Sequence, residues 1–236
     1  MTGDGDGSDG DGVVPQTVRF GALGRHPSGA LLAVQLLGLL LYPLMEETGA
    51  GRALFGAFGM VVLALALWVV VRSPTVNWIA WLLAAPAVLL SLLGGWGGQP
   101  HWLVWAQLLE CALYFYAAGG LIAYMLYDHE VTADELVAAG ATFTLLAWGF
   151  AFAYAVCQAF VPGSFIAAVN SAAPRSWMEL LFLSFTTLSG VGLGDVLPVT
   201  PWARALVMLE QFAGVMYIAL VVSRLIGLTI VRAERL

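Results

Sequence analysis

A glycine-punctuated stretch at residues 187–195, Thr-Leu-Ser-Gly-Val-Gly-Leu-Gly-Asp, lies between two strongly apolar segments and could bind a metal ion through its main chain. A dehydrated cation needs several oxygen ligands that point towards one axis in place of its water shell. The carbonyls of an ordinary strand alternate in direction, whereas glycine readily adopts the positive φ angles that turn successive carbonyls to the same side. Gly192 and Gly194, which alternate with Val191 and Leu193, are predicted to provide this freedom.

This stretch resembles the selectivity filter of tetrameric potassium channels, whose usual form is Thr-Val-Gly-Tyr-Gly-Asp. The resemblance continues through residues 196–204, which are similar to the turn that leads from the filter into the inner helix of these channels. Gly214 lies nineteen residues beyond Asp195, where many inner helices of the family carry a hinge glycine. The similarity covers residues 176–227 and implies a potassium-conducting pore with a gating hinge at Gly214. The alternative for Gly214 is a close-packing site between membrane helices.

The resemblance implies a role for each position of the stretch. It assigns the binding of permeant potassium ions to the backbone carbonyls of Gly190, Val191, Gly192 and Leu193. It assigns support behind the filter, or a place at its mouth, to Thr186, Thr187, Ser189, Gly194 and Asp195. One strand cannot surround an ion, so one pore loop per chain implies a homotetramer, as in the family. No cofactor other than the permeant ions is expected.

Two positions depart from the family pattern. Leu193 replaces the usual tyrosine and loses its hydrogen bond behind the filter, although some two-pore-domain potassium channels also have Gly-Leu-Gly there. Gly190 replaces a threonine whose hydroxyl helps to form the innermost ion site, and Thr186 stands where many bacterial channels have an acidic residue. We therefore expect three good carbonyl sites and a weakened fourth. Gly190→Thr should then sharpen discrimination against sodium, and a non-selective monovalent cation channel is an alternative.

The composition is that of a membrane protein. The chain is 61% hydrophobic and 10% charged, with a mean hydropathy of +0.88, whereas soluble domains carry about 25% charged residues. A spanning helix needs roughly 20 apolar residues. The candidate spans are 29–45, 53–71, 76–97, 101–127, 137–161 and 202–231. The predicted fold is an all-α membrane protein with six transmembrane helices, in which a re-entrant pore helix and a selectivity-filter loop lie between spans five and six.

The pore helix is predicted within residues 173–189, directly before the filter. Ser176 and Glu179 have the Ser-x-x-Glu spacing of a capping box, which marks a helix start. The stretch is too short to cross a membrane and contains polar residues, as a re-entrant helix would. Its carboxyl end would point towards the central cavity, where the partial negative charge of the helix dipole favours a cation.

The sequence divides into four parts. Residues 1–28 form an acidic Gly/Asp-rich tail that is expected to be disordered. Residues 29–127 form a four-helix transmembrane domain, residues 128–136 a polar cytoplasmic linker, and residues 137–236 the pore domain. The four-helix domain stands where related channels have a voltage sensor, but residues 101–127 contain neither arginine nor lysine. Because steep voltage gating requires several charges in the membrane field, no conventional voltage sensor is predicted.

Arginine placement predicts the orientation, since all nine basic residues are arginines. With six spans, the arginines on one side are Arg19, Arg25, Arg72, Arg224, Arg232 and Arg235. Those on the other side are Arg52, Arg175 and Arg204. The positive-inside rule makes the first side cytoplasmic. We therefore expect a multi-pass protein of the plasma membrane with both termini in the cytoplasm and the filter mouth outside.

Two carboxylates, Glu110 and Glu210, fall within predicted spans. An intramembrane carboxylate is a candidate for a direct role in permeation or gating, and the alternative is a buried, hydrogen-bonded residue between helices. Cys111 and Cys157 also fall within spans. They are interpreted as small buried hydrophobic residues rather than as a redox pair.

The predicted function is therefore a potassium-conducting ion channel. No covalent chemistry and no enzymatic activity are expected, because the sequence has no Gly-rich nucleotide loop, no nucleophile–base pair and no metal-ligand cluster. The expected partners are identical copies of the chain and membrane lipids, with no nucleic acid. Besides the non-selective cation channel, a non-conducting sensor or assembly subunit with a degenerate pore is an alternative.

Overall fold

The computed structural model describes residues 27–46, 77–97, 100–127 and 133–233, and five separate residues between positions 59 and 65. Nearly all of the predicted acidic tail and most of the second predicted span lie outside the described residues. The elements with described bounds are α1 (Pro27–Glu46), α2 (Asn77–Gly97), α3 (Pro100–Tyr127), α4 (Ala133–Phe160), β1 (Phe165–Ala167), α5 (Trp177–Leu188), β2 (Val196–Pro198) and α6 (Pro201–Ala233).

Among the described residues, three helical stretches are long and apolar enough to cross a membrane. They are His101–Leu126 of α3, Glu135–Phe160 of α4 and Pro201–Val221 of α6. Shorter apolar stretches lie in α1 and α2, at Ser28–Tyr42 and Trp78–Gly94. The three long stretches agree with the fourth, fifth and sixth predicted spans. The total of six spans stays a prediction, because most of the second span is outside the described residues and the apolar stretches at the first and third are shorter.

Helix α4 is the centre of the described fold and packs against α1, α3, α5 and α6. Its sequence is apolar on all sides, which is the pattern of a helix that is buried rather than amphipathic. Trp148 packs against Tyr114 of α3, with ring centroids 5.9 Å apart, and against Trp177 of α5. The helix begins at Ala133, inside the stretch predicted as linker, so the polar start of α4 is helical as well.

Helices α4 and α6 run antiparallel, as three side-chain contacts along them show. The Tyr154 hydroxyl donates to Glu210, the Tyr217 hydroxyl donates to the Ala139 carbonyl at 2.6 Å, and Arg224 forms an ion pair with Glu135 at 3.6 Å. Residue numbers rise on one helix as they fall on the other. The carboxyl end of α4 and the amino end of α6 therefore lie together, and the segment between them carries α5 and the glycine-rich loop.

A two-stranded antiparallel sheet joins the two ends of that segment. Phe165 pairs with Pro198, and Ala167 pairs with Val196. The Val199 amide also donates to the Ser164 carbonyl at 3.0 Å. These strands were not predicted from the sequence, since three residues are too few for an alternating pattern to show. The sheet ties the chain that leaves α4 to the chain that leaves the glycine-rich loop.

Candidate functional site

Helix α5 begins at a complete capping box. The Ser176 residue is extended (φ −68°, ψ 162°), and its side chain accepts a hydrogen bond from the Glu179 amide at 3.3 Å. The Glu179 carboxylate in turn accepts a hydrogen bond from the Ser176 amide at 2.6 Å. Two backbone donors that a helix start leaves unpaired are thus satisfied reciprocally. The start of α5, and with it the position of the loop that follows, is fixed locally.

Arg175 holds the chain that leads into α5. Its buried guanidinium donates to three main-chain carbonyls and forms an ion pair of 3.1 Å with Glu179. The three carbonyls belong to Val169, Asn170 and Ala173. In the sequence analysis, Arg175 was counted only as a charge outside the membrane. Its position two residues before α5 does not reveal that the N–H donors of its guanidinium bind the carbonyls of the preceding loop.

The glycine-rich loop is attached to the last turn of α5 by main-chain hydrogen bonds. Ser189 ends the helix with φ −74° and ψ −11°. The Gly190 amide donates to the Thr187 carbonyl at 3.1 Å, and the Gly192 amide donates to the Thr186 carbonyl at 2.9 Å. A displacement of this helical turn would therefore displace the loop.

The positive φ angles of the loop lie at Gly190 (+74°) and Gly192 (+69°). Gly194 does not have a positive φ. The prediction that Gly192 and Gly194 would form the alternating pair is therefore corrected: the pair is Gly190 and Gly192, two residues earlier in the chain. Val191 and Leu193 have the ordinary negative φ. Positive and negative φ therefore alternate from residue 190 to residue 193, as the alignment of successive carbonyls requires.

The loop is exposed on the single chain, whereas its support is buried. Val191 and Leu193 are 62% and 64% exposed. Thr186 and Thr187 are buried behind them, and Asp195 is exposed at the far end of the loop.

The hydroxyl groups of Thr186 and Ser189 bond to carbonyls of α5, those of Leu183 (3.0 Å) and Thr186 (3.3 Å) respectively. The described support for the loop therefore passes through the main-chain carbonyls of residues 186 and 187 and not through these hydroxyls.

Gly214 lies where α6 crosses the end of α5. A Cβ atom at this position would lie 2.1 Å from the Leu188 carbonyl oxygen, which is far inside contact distance. Glycine is therefore required here for the close approach of two helices, and α6 continues as a helix through this residue. A gating hinge at Gly214 stays a prediction.

The two intramembrane carboxylates differ in their surroundings. Glu210 is 0% exposed and accepts hydrogen bonds from the hydroxyls of Tyr154 and Ser184. This geometry agrees with the interpretation of Glu210 as a buried, hydrogen-bonded residue between helices. Glu110 is half-buried and accepts a hydrogen bond of 3.2 Å from Ser91 of α2. Neither hydroxyl partner of Glu210 could be predicted from the sequence, because both are distant along the chain.

The described residues contain no group of three or more His, Cys, Asp or Glu side chains that could hold a metal ion. Cys111 and Cys157 are both free thiols, one half-buried and the other buried. The exposed loop itself offers a cation its main-chain oxygens and, at its far end, the single carboxylate of Asp195.

Residues 140–230 match a protein family described as "Ion channel". The matched segment runs from α4 through α5 and the glycine-rich loop into α6. The match supports the resemblance of this segment to the pore-loop cation channels. The protein is therefore a multi-pass membrane protein with an ion-channel domain. No curated protein and no solved structure matches the chain.

Proposed function

We propose that the chain forms a homotetrameric potassium channel. Dehydrated K⁺ would pass along the backbone carbonyls of Gly190, Val191, Gly192 and Leu193, and no chemical step is involved. The observation that carries the proposal is the alternation of φ at residues 190–193, directly beyond a pore helix whose carboxyl end carries a partial negative charge. Carbonyls on one side of a backbone can replace the hydration shell of a cation.

The tetramer is supported by the exposure of this loop. Non-helical backbone at membrane depth is tolerated only where protein or a water-filled path surrounds it, because hydrocarbon leaves its polar groups unsatisfied. Val191 and Leu193 project from the surface of the single chain, and one loop forms only one wall of a pore. Further copies of the same chain supply the other walls, as in the family that the match identifies.

The proposal includes an orientation and a mode of gating. Both termini lie in the cytoplasm of a plasma-membrane protein in contact with lipid, and the filter mouth lies outside. The arginine bias of the loops supports this orientation. The channel is not conventionally voltage-gated, because residues 101–127 lack basic side chains.

A non-selective monovalent cation channel is the second candidate, and Gly190 is the residue that favours it. This glycine has no hydroxyl to offer to an ion at the inner end of the loop. Loss of one ligand ring would leave fewer sites that distinguish potassium from sodium, since the number and field of ligands contribute to selectivity.

Ion flux from liposomes under opposed potassium and sodium gradients tests the proposal. We expect purified protein to behave as four chains of 25.0 kDa and its reversal potential to follow the potassium gradient. Near-equal permeability would establish the second candidate instead. A tetramer that passes neither ion would show a non-conducting subunit and refute the proposal.

Two glycines provide matched variants for this experiment. Gly192 and Gly163 both have positive φ (+69° and +78°), and a Cβ atom would meet open space at either position. Only Gly192 lies in the proposed filter. We expect Gly192→Ala to abolish flux and Gly163→Ala to conduct like the original protein.

A further inference from the structure

Helix α6 presents a buried stripe to the rest of the chain, and one member of the stripe is a carboxylic acid. The stripe consists of Ala203, Val207, Glu210, Gly214 and Tyr217. These residues recur at the spacing of one helical face. Burial of an isolated polar group in an apolar environment is costly unless it is hydrogen-bonded. The side chain of Glu210 is therefore held by specific partners.

Those partners come from two other helices. The Tyr154 hydroxyl of α4 donates to one carboxyl oxygen of Glu210, and the Ser184 hydroxyl of α5 reaches the other. Ser184 is also 2.8 Å from the Ala147 carbonyl of α4. The outer helix, the pore helix and the inner helix thus meet at one polar cluster, formed by Tyr154, Ser184 and Glu210.

We infer that this polar cluster positions the selectivity filter, an inference that rests on the proposed function. Ser184 lies one turn before Thr187 and Leu188, and the carbonyls of Thr186 and Thr187 hold the loop. One turn further along both helices, the Leu188 carbonyl lies directly against Gly214, where a Cβ atom would not fit. The pairs 184–210 and 188–214 therefore fix α5 against α6 at two points. Glu210 is a positioning residue that acts on the filter through α5 and does not itself touch the ion.

The hydrogen-bond donors and acceptors of the polar cluster determine which substitutions at position 210 test its role. A glutamine at position 210 could accept the Tyr154 proton on its amide oxygen and donate from its amide nitrogen to Ser184. The Ser184 proton would then go to the Ala147 carbonyl. A leucine at position 210 would fill a similar volume but remove the carboxylate from both hydroxyls, and Ser184 would keep only the Ala147 carbonyl. Glu210→Gln therefore preserves the positioning contacts, and Glu210→Leu removes them.

The test measures reversal potentials of purified tetramers in liposomes with opposed potassium and sodium gradients. We expect Glu210→Leu and Tyr154→Phe each to lower the potassium-to-sodium permeability ratio about fivefold, the factor that corresponds to about 1 kcal/mol. Glu210→Gln should keep the original ratio. Tyr154→Phe removes only one hydroxyl and is the milder change. If Glu210→Leu does not assemble into tetramers, the permeability ratio of Tyr154→Phe tests whether the polar cluster positions the filter.

Thr144→Val is the matched control. Thr144 also lies on α4 and is buried, but it donates at 2.6 Å to Gln35 of α1, away from the pore helix. Its loss should lower thermal stability without a change in the permeability ratio. If Tyr154→Phe and Glu210→Leu form tetramers as selective as the original, the inference is wrong although the proposed function stands. If the original protein does not discriminate between potassium and sodium, the proposed potassium selectivity itself is wrong.

Discussion

At Gly190 the main chain has a φ of +74°, a conformation that costs a non-glycine residue about 1–2 kcal/mol. A β-branched side chain fits this region poorly. The potassium-channel filters that this stretch resembles have a threonine at this position. Introducing that threonine here would strain the main chain in each of the four proposed subunits. The added hydroxyl would therefore come with a distorted loop.

Gly190→Thr is accordingly predicted to reduce potassium flux rather than to sharpen selectivity, which reverses the expectation from sequence. Ser189→Thr serves as the control, because Ser189 has an ordinary φ of −74° and also carries a hydroxyl. Flux assays on both variants in liposomes provide the measurement. A Gly190→Thr channel with full flux and a higher permeability ratio would show that the loop relaxes.

Gly214→Ala is predicted to destabilise the protein, because its Cβ would lie 2.1 Å from the Leu188 oxygen. Overpacking at such a contact costs about 1–3 kcal/mol, more than the 0.5–1 kcal/mol or so that alanine gains over glycine in a helix. Gly227→Ala is the control, since the same helix leaves open space there. Thermal unfolding in detergent should show a lower midpoint for Gly214→Ala and an unchanged or higher midpoint for Gly227→Ala.

At the scale of elements, α5 is held at both ends. Its amino end has the capping box and Arg175, and its carboxyl end has Gly214 and the polar cluster. The β1–β2 pair then closes the segment behind the loop. These contacts come from residues on both sides of the loop in sequence. The loop that is proposed to present main-chain oxygens thus follows a short helix that is fixed by its neighbours.

Arg175→Lys tests the amino-terminal attachment of α5. Lysine keeps the charge but lacks the planar fork of five donors with which arginine reaches several carbonyls at once. A hydrogen bond to a charged group contributes about 1.5–3 kcal/mol, so we expect a clear fall in the thermal midpoint. Arg204→Lys is the control, since exposed Arg204 donates to the Pro198 carbonyl at 3.3 Å. Equal midpoints for both variants would argue against a structural role for Arg175.

At the scale of the whole molecule, the described helices α1 and α3 pack against α4. Moving one charge through the membrane field yields about 2.3 kcal/mol per 100 mV. Residues 101–127 carry one charged residue, Glu110, and no basic residue. Residues 101–127, within the predicted four-helix domain, therefore offer little charge for the field to move.

Conductance is accordingly predicted to depend only weakly on voltage. Single-channel recordings in planar bilayers, at negative and positive potentials, provide the measurement. A steep conductance–voltage curve that requires several gating charges per subunit would contradict the prediction. Such a result would place the sensing charges elsewhere in the chain.

The sequence alone determined the membrane class, the carboxyl-terminal ion-channel domain and the segments that form α3, α4 and α6. Long apolar runs determine the membrane class and the segments of α3, α4 and α6, since the length of a spanning helix is set by the thickness of the bilayer. The glycines at 190, 192 and 194 marked the candidate site, because a chain without Cβ atoms can adopt conformations that other residues avoid. The Ser176–Glu179 spacing marked the start of α5.

Tertiary structure alone decided which glycines have positive φ, what Gly214 contacts and how Glu210 is satisfied. The partners of Glu210 are 56 and 26 residues away along the chain, and local patterns carry no information on contacts at such separations. The β1–β2 pairing likewise joins residues that are remote in sequence, such as Phe165 and Pro198. Periodicity reports which face of a helix is apolar, but the residue that meets that face depends on how the helices cross.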